Sequence, residues 1–275
     1  MNSPFRSCSG HEVQGAIFAV FLAALMFFVP AVATDGQTPD ARAIMQGVYQ
    51  QDTSHDTTFR ADFEVFDKGN HASKKRFLFR RIGSPGSSKI LVVFSDPQEI
   101  RGIALLSITQ PGTPVRQYMY TPAIDRVRDV APQERSARFI GTDFTYEDIS
   151  EHVLEDFNYK LLNDGETVEN HKTYKVQATP VDPQRSQYKF VYYWIAQDVP
   201  VILQAEMYDS RGKEIRTLHA SDLKHVSGIW GARHLEMTSV EERTRTVLTI
   251  DEVKFNSGLD EKLFTPDALS KDRAQ

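Results

Sequence analysis

Residues 57–66 read TTFRADFEVF, and apolar and polar side chains alternate along them. Phe59, Ala61, Phe63 and Val65 share one side, and Arg60, Asp62 and Glu64 the other, the period of a half-buried strand. KKRFLFRR reads as its return strand after a turn near Gly69-Asn70. KILVVF (89–94) is apolar on both faces and breaks at Asp96-Pro97. GIALLSI (102–108), RQYMYTP and RVRDV (126–130) follow, the first two separated by the turn signal Gln110-Pro111-Gly112. The pattern resumes in FNYKLL (157–162), KTYKVQATPV (172–181), QYKFVYYWIA (187–196) and VPVILQAEMYD (199–209), with three further segments ending in TRTVLTIDEVKFN. Roughly ten strands at hairpin spacing predict one large antiparallel sheet or open barrel in a single domain.

One segment carries the helical period instead. Ala41, Ile44, Met45 and Val48 form a stripe ending near Tyr49, with Thr38 as the cap and Pro39 at the first turn. The tail LDEKLFTPDAL supplies an apolar plug, Leu263, Phe264 and Leu269. In QYKFVYYWIA, alternation puts Tyr188, Phe190, Tyr192 and Trp194 on one face and Val191, Tyr193 and Ile195 on the other. Both faces of that strand need cover, from helices and neighbouring strands or from an apolar ligand.

The first 33 residues differ in composition. Arg6 precedes the uncharged run Gly15 to Ala33, which ends in Pro30 and Ala31-Val32-Ala33. This reads as a signal peptide cleaved before Thr34, leaving 34–275 as one domain exported to the periplasm; an uncleaved anchor is the alternative. Cys8 is the only cysteine and lies before the apolar run, so no lipobox is present. The mature chain therefore has no disulfide, thiolate metal site or cysteine nucleophile. About 240 residues suffice for a core without such staples. Removing Arg6 and Glu12 leaves the net charge at −5, without a nucleic-acid footprint.

Chemistry is concentrated in one stretch. FIGTDFTYEDIS (139–150) holds Asp143, Glu147 and Asp148 around Phe144 and Tyr146. A carboxylate pair suits general acid–base work when its environments differ. The spacing also fits a cap: Thr145-x-x-Asp148 is a capping box, Phe144 and Ile149 a hydrophobic staple, and Glu147 and Asp148 favour a helix N-terminus. The capping reading explains more of these residues than catalysis does. An Asp148–His152 pair lacks the further oxygens a hard cation needs, and no H-E-x-x-H, G-x-S-x-G or phosphate-binding glycine loop occurs. Arg126, Arg128, Arg135 and Arg138 precede the stretch beside Asp129, Glu134 and Asp143, either as structural ion pairs or as guanidinium groups for an anionic head group.

YMYTPAIDRVRDV followed by FIGTDFTYEDIS resembles the signature of the outer membrane lipoprotein-sorting protein family, the LolA/LolB/RseB-like proteins. Tyr118, Tyr120, Pro122, Arg126, Val127 and Arg128 carry the first half. Phe139, Gly141 and the run Asp143 to Asp148 carry the second, and SDPQEIRGIALL (95–106) and FTPDAL (264–269) also fit. The resemblance implies a mainly β, α+β fold: a strongly curved antiparallel half-barrel lidded by helices around an apolar cavity. It implies a non-enzymatic periplasmic carrier of lipid or acylated protein, passed toward the outer membrane, with no cofactor or metal. The alternative is an interaction module, either an envelope sensor or an adaptor for a lipid-exporting permease of the resistance-nodulation-division type; an outer-membrane acceptor is a further possible partner. Phe79, Tyr118, Tyr120, Tyr192 and Trp194 are the candidates to line such a cavity, with Phe144 and Tyr146 near its rim. Arg126 and Arg128 are the head-group candidates.

Overall fold

The structure is a computed structural model describing residues 39–270. The expected signal peptide with Cys8, and Thr38, lie outside the described residues. The chain opens with α1 (Ala41–Gln50), followed by β1 (Asp56–Phe66), β2 (Ala72–Ser84), β3 (Ser87–Asp96), β4 (Ala104–Thr109), β5 (Arg116–Thr121) and β6 (Arg126–Asp129). After a long connection come β7 (Phe157–Val168), β8 (His171–Pro180), β9 (Phe190–Ala196), β10 (Ile202–Tyr208), β11 (Glu214–Val226), β12 (Ile229–Ser239), β13 (Thr244–Ile250) and β14 (Lys254–Phe255). The short α2 (Pro266–Leu269) follows them.

All fourteen strands form one open sheet in the order β6-β5-β4-β3-β2-β1-β13-β12-β11-β10-β9-β8-β7, with β14 also on β1. Each pairing is antiparallel, as hairpin spacing predicts. β1 and β13 join the two meanders, so the first strand pairs with nearly the last.

The sheet curls strongly. Nine strand steps separate β5 from β9, about 43 Å along a flat sheet. Yet Gln117 of β5 donates to the Tyr146 carbonyl at 2.7 Å, while the next residue, Glu147, accepts from the Gln187 backbone at 2.9 Å just before β9. One short segment thus bridges both halves, which defines the concave face of a half-barrel.

β3 shows why both of its faces are apolar. Ile90, Val92 and Phe94 point into the concave core with Phe63, Phe77, Leu105 and Met119. Leu91 and Val93 point outward into a second core with Tyr118, Tyr120, Phe264 and Leu269. The C-terminal plug therefore covers the convex side of β3–β5.

On the concave side, α1 lays Ala41 and Met45 over Val176 and Ile195, beside Tyr159, Tyr174 and Tyr193. The cap is Asp40, whose carboxylate accepts from Ala43 N at 3.2 Å and Arg42 N at 3.4 Å. Pro39 sits ahead of the cap, so the helix starts two residues later than Thr38 capping implied. The far end is pinned: Gln51 donates to the Pro200 carbonyl and accepts from Trp230 N.

Candidate functional site

Residues 135–147 form a strap across the concave face. Phe139 N donates to the Phe144 carbonyl at 2.8 Å, and Glu147 N to the Arg135 carbonyl at 3.0 Å, so the segment is a hairpin. Arg138 and Thr145 pair across it. Its tip turns through Ile140 (φ 47°) and Gly141 (φ 70°); the second position suits glycine, whereas a β-branched residue at the first is strained.

The reciprocal box is present without the helix it predicted. Thr145 N and Oγ1 both donate to Asp148 at 2.7 Å, and Asp148 N donates back to Thr145 Oγ1 at 3.3 Å. One turn follows, closed by Ile149 N on the Thr145 carbonyl, and the chain then straightens. The physical reason is that the carboxylates are drawn away to distant partners.

Asp143 accepts from Thr244 Oγ1 at 2.5 Å and Thr246 Oγ1 at 2.7 Å on β13, and pairs with Arg138 at 3.0 Å. Glu147 accepts from Ser186 Oγ at 2.5 Å as well as Gln187 N. Asp148 accepts from the Tyr188 hydroxyl at 2.8 Å. The three acids are three tethers, each satisfied by a donor from the sheet or the β8–β9 connection. Among the described residues, no group of three or more His, Cys, Asp and Glu is placed to hold a metal ion.

The aromatic candidates divide by face. Phe144 and Tyr146 descend from the strap into the concave core, where Phe144 meets Phe63 at 5.4 Å and Tyr146 donates to Met119 Sδ at 3.3 Å. Phe79 shares that face, stacked on Phe59 at 4.4 Å. Tyr118 and Tyr120 lie on the opposite, convex face beneath the C-terminal plug. Tyr192 and Trp194 also face outward: Lys175 Nζ sits 5.1 Å and 4.1 Å from their ring centres, and Trp194 donates to Glu166. Four of the seven aromatic candidates are thus placed away from the concave side. The period of two separates Tyr118 from Met119 but does not say which neighbour points inward. Tyr188 corrects the alternation directly: it precedes β9 and turns inward toward Asp148, apart from Phe190, Tyr192 and Trp194.

The strap's rings fill the centre of the half-barrel, so an apolar opening must lie elsewhere. The floor under α1 is the alternative, reached through Tyr193, which touches both clusters. Burial pushes the Tyr49 hydroxyl of α1 up to about 12, so that ring stays neutral. Tyr159 and Tyr174 were not among the candidates, and Tyr193 entered only as part of the face opposite Tyr192 and Trp194; the signal available was the apolar stripe of α1, which needed a matching floor.

The head-group candidates also separate. Arg128 is engaged by Glu134 at 2.7 Å, and Arg126 is exposed on the edge strand β6. A cavity of about 260 Å³ opens instead beyond the strap's end, between Val115 on one side of the half-barrel and Phe157, Pro180 and Val181 on the other, with Arg135 and Arg185 in its wall.

The architecture has known counterparts. A domain from Vibrio parahaemolyticus described as an outer membrane lipoprotein-sorting protein is 24% identical, with a TM-score of 0.79 over 84% of this chain and 98% of its own. A DUF1329 family protein from Desulfovibrio piger is 22% identical, with a TM-score of 0.80 over 83% and 97%. A LolA superfamily protein from Nitrosomonas europaea is 17% identical, with a TM-score of 0.67 over 84% and 99%. Among curated proteins none matches the chain. A family model described as "Uncharacterized protein" matches residues 86–271, from the start of β3 through the C-terminal plug. The chain belongs to the family of that model and has the half-barrel fold of the outer membrane lipoprotein-sorting and LolA superfamily proteins.

Proposed function

We propose that the protein is a soluble periplasmic carrier, released by cleavage of residues 1–33, whose single domain binds the acyl chain of a lipid or lipoprotein beneath α1 and passes it toward the outer membrane. One observation carries this reading. α1 is an amphipathic helix held at its C-terminal end by Gln51, with its apolar stripe on a floor of Val176, Ile195 and tyrosine rings. Lifting the helix about Gln51 would expose a contiguous apolar surface on the concave side. An acyl chain laid there gains about 0.8 kcal/mol per buried methylene, enough for a few methylenes to replace the helix's own contacts.

The strap belongs to the frame in this reading. Its acids are saturated by hydroxyl and backbone donors, which favours tethering over turnover. Native mass spectrometry of protein released gently from cells tests the proposal. A retained lipid or acyl adduct that is lost when Met45 is replaced by Asp supports it; a bare chain that also fails to take up a fluorescent fatty acid overturns it.

A second reading draws on the filled centre of the half-barrel. A concave face closed by Phe139, Phe144 and Tyr146 suits an interaction module, an envelope sensor or an adaptor for a lipid-exporting permease. Stable capture of such a permease by a protein without cargo would favour it.

A further inference from the structure

Arg135 stands apart from the other cations around the strap. Arg138 pairs with Asp143 and Glu242, Arg128 with Glu134, and Arg185 with Asp156 and Asp182. Arg135 makes no ion pair among the described residues; it donates to the Val115 carbonyl, and its Nε is buried without a partner. Burial holds the guanidinium below its ordinary value, opposed by Glu147 and reinforced by Arg185. A partly desolvated cation without a counter-ion is unfavourable unless something else supplies the charge.

Among the described residues no acid around the same cavity makes a direct ion pair with Arg135; Glu147 acts on it only through space. Glu147 is occupied by Ser186 and Gln187, and Glu151 is pushed toward its neutral form by burial while accepting from Ser88. Glu155 is paired to Arg42. Glu155, Asp156 and Asp182 also line the cavity, the first and last exposed and Asp156 half-buried. The wall thus offers a guanidinium without a direct ion pair in the cavity. At a partly exposed edge it offers carboxylates that use one oxygen each on Arg42 (Glu155) and Arg185 (Asp156) and keep the second for a further donor, a layout that suits a zwitterion. His152 stacks on Phe157 at 5.4 Å, and Phe157 lies 6.4 Å from Tyr159 on the floor under α1. An aromatic path therefore joins the charged cavity to the apolar floor.

We infer that the cavity between Arg135, Arg185 and Phe157 is a head-group site for a phosphate ester bearing an amine, with the phosphate on Arg135 and the ammonium toward Glu155, Asp156 and Asp182. Arg–phosphate pairing favours guanidinium geometry over ammonium. The assignment rests on the carrier reading, since the acyl chain must lie under α1.

Calorimetric titration of the full chain with dihexanoyl phosphatidylethanolamine, below its micelle concentration, tests it. Expected are binding, a loss of at least tenfold in Arg135→Gln, partial recovery in Arg135→Lys, and weaker binding of the phosphatidylglycerol analogue. Val181→Asp, at a 57% exposed position on the cavity rim, leaves folding intact and is expected to weaken the phosphate ester several-fold. Arg211→Gln, on a distant exposed turn, serves as the charge-matched control and keeps full affinity. Unchanged affinity in both Arg135→Gln and Val181→Asp overturns the site. Free phosphoethanolamine binding as tightly as the lipid overturns the lipid assignment. An uncharged fatty alcohol separates the two levels. If it binds wild type and Arg135→Gln alike while the phospholipid shows no dependence on Arg135, the carrier reading stands and this site falls. If neither amphiphile binds, both fall.

Discussion

Asp143 and Thr246 hold each other reciprocally: Asp143 N donates to Thr246 Oγ1 at 2.9 Å, and that hydroxyl donates to Asp143 Oδ2 at 2.7 Å, both groups being shut off from solvent. This ring fixes the tip of the strap to β13, and Arg138 neutralises the charge from above. Asp143→Ala should therefore lower stability by about 3 kcal/mol, because Arg138 and two threonines lose their acceptor together. Urea unfolding monitored by circular dichroism reads the loss. Thr246→Val should cost about 1–2 kcal/mol.

Lid opening is tunable from the cap. Asp40→Ala leaves two backbone N–H groups of α1 without their acceptor and should weaken the helix by about 1 kcal/mol. If lifting α1 admits the acyl chain, uptake of a fluorescent fatty acid in stopped flow should quicken about fivefold. An unchanged rate would place entry elsewhere.

Face assignment has its own test. Tyr192→Ser, on the convex side under Lys175, should leave fatty-acid affinity within about twofold, whereas Ile44→Asp, on the stripe of α1, should reduce it at least tenfold. Equal effects from both would reject the concave floor as the site.

Two buried acids pull the pH dependence in opposite directions. Burial alone would raise Asp56, but bonds from Ser257, Gly258 and Leu259 outweigh it and hold the carboxyl below its usual range. Its stabilisation is complete above the unfolded value, near about pH 4, and is lost as pH falls through the lowered value. Asp56→Asn should thus differ most from wild type at neutral pH and converge with it in acid. Glu151 is raised by burial, with Ser88 and Arg81 opposing. Its folded form holds the proton longer, so its contribution declines as pH rises through the raised value. The stability of Glu151→Gln relative to wild type should therefore climb with pH over that window, as measured by thermal melts at a series of pH values.

Strands were legible because alternation is local: TTFRADFEVF states its own faces, and KILVVF, read as apolar on both, packs into two separate cores. The inward direction was not legible. Whether Met119 or Tyr118 faces the concave side depends on curvature accumulated across many strands, which no single strand records. The strap misled for a related reason. A Thr-x-x-Asp box closes the same first turn whether or not a helix follows, and here Glu147 and Asp148 are claimed by residues 186–188, some forty positions on.

Asp56 carries one more consequence. It opens the first strand of the sheet, yet its carboxylate is satisfied by backbone groups 257–259, and its strand pairs with β13 and β14. The half-barrel cannot close while the last fifth of the chain is still on the ribosome. High contact order of this kind delays folding until synthesis is complete. If the chain is exported as proposed, the late partner of an early strand acts as a timer, keeping the sheet open until the whole polypeptide has arrived.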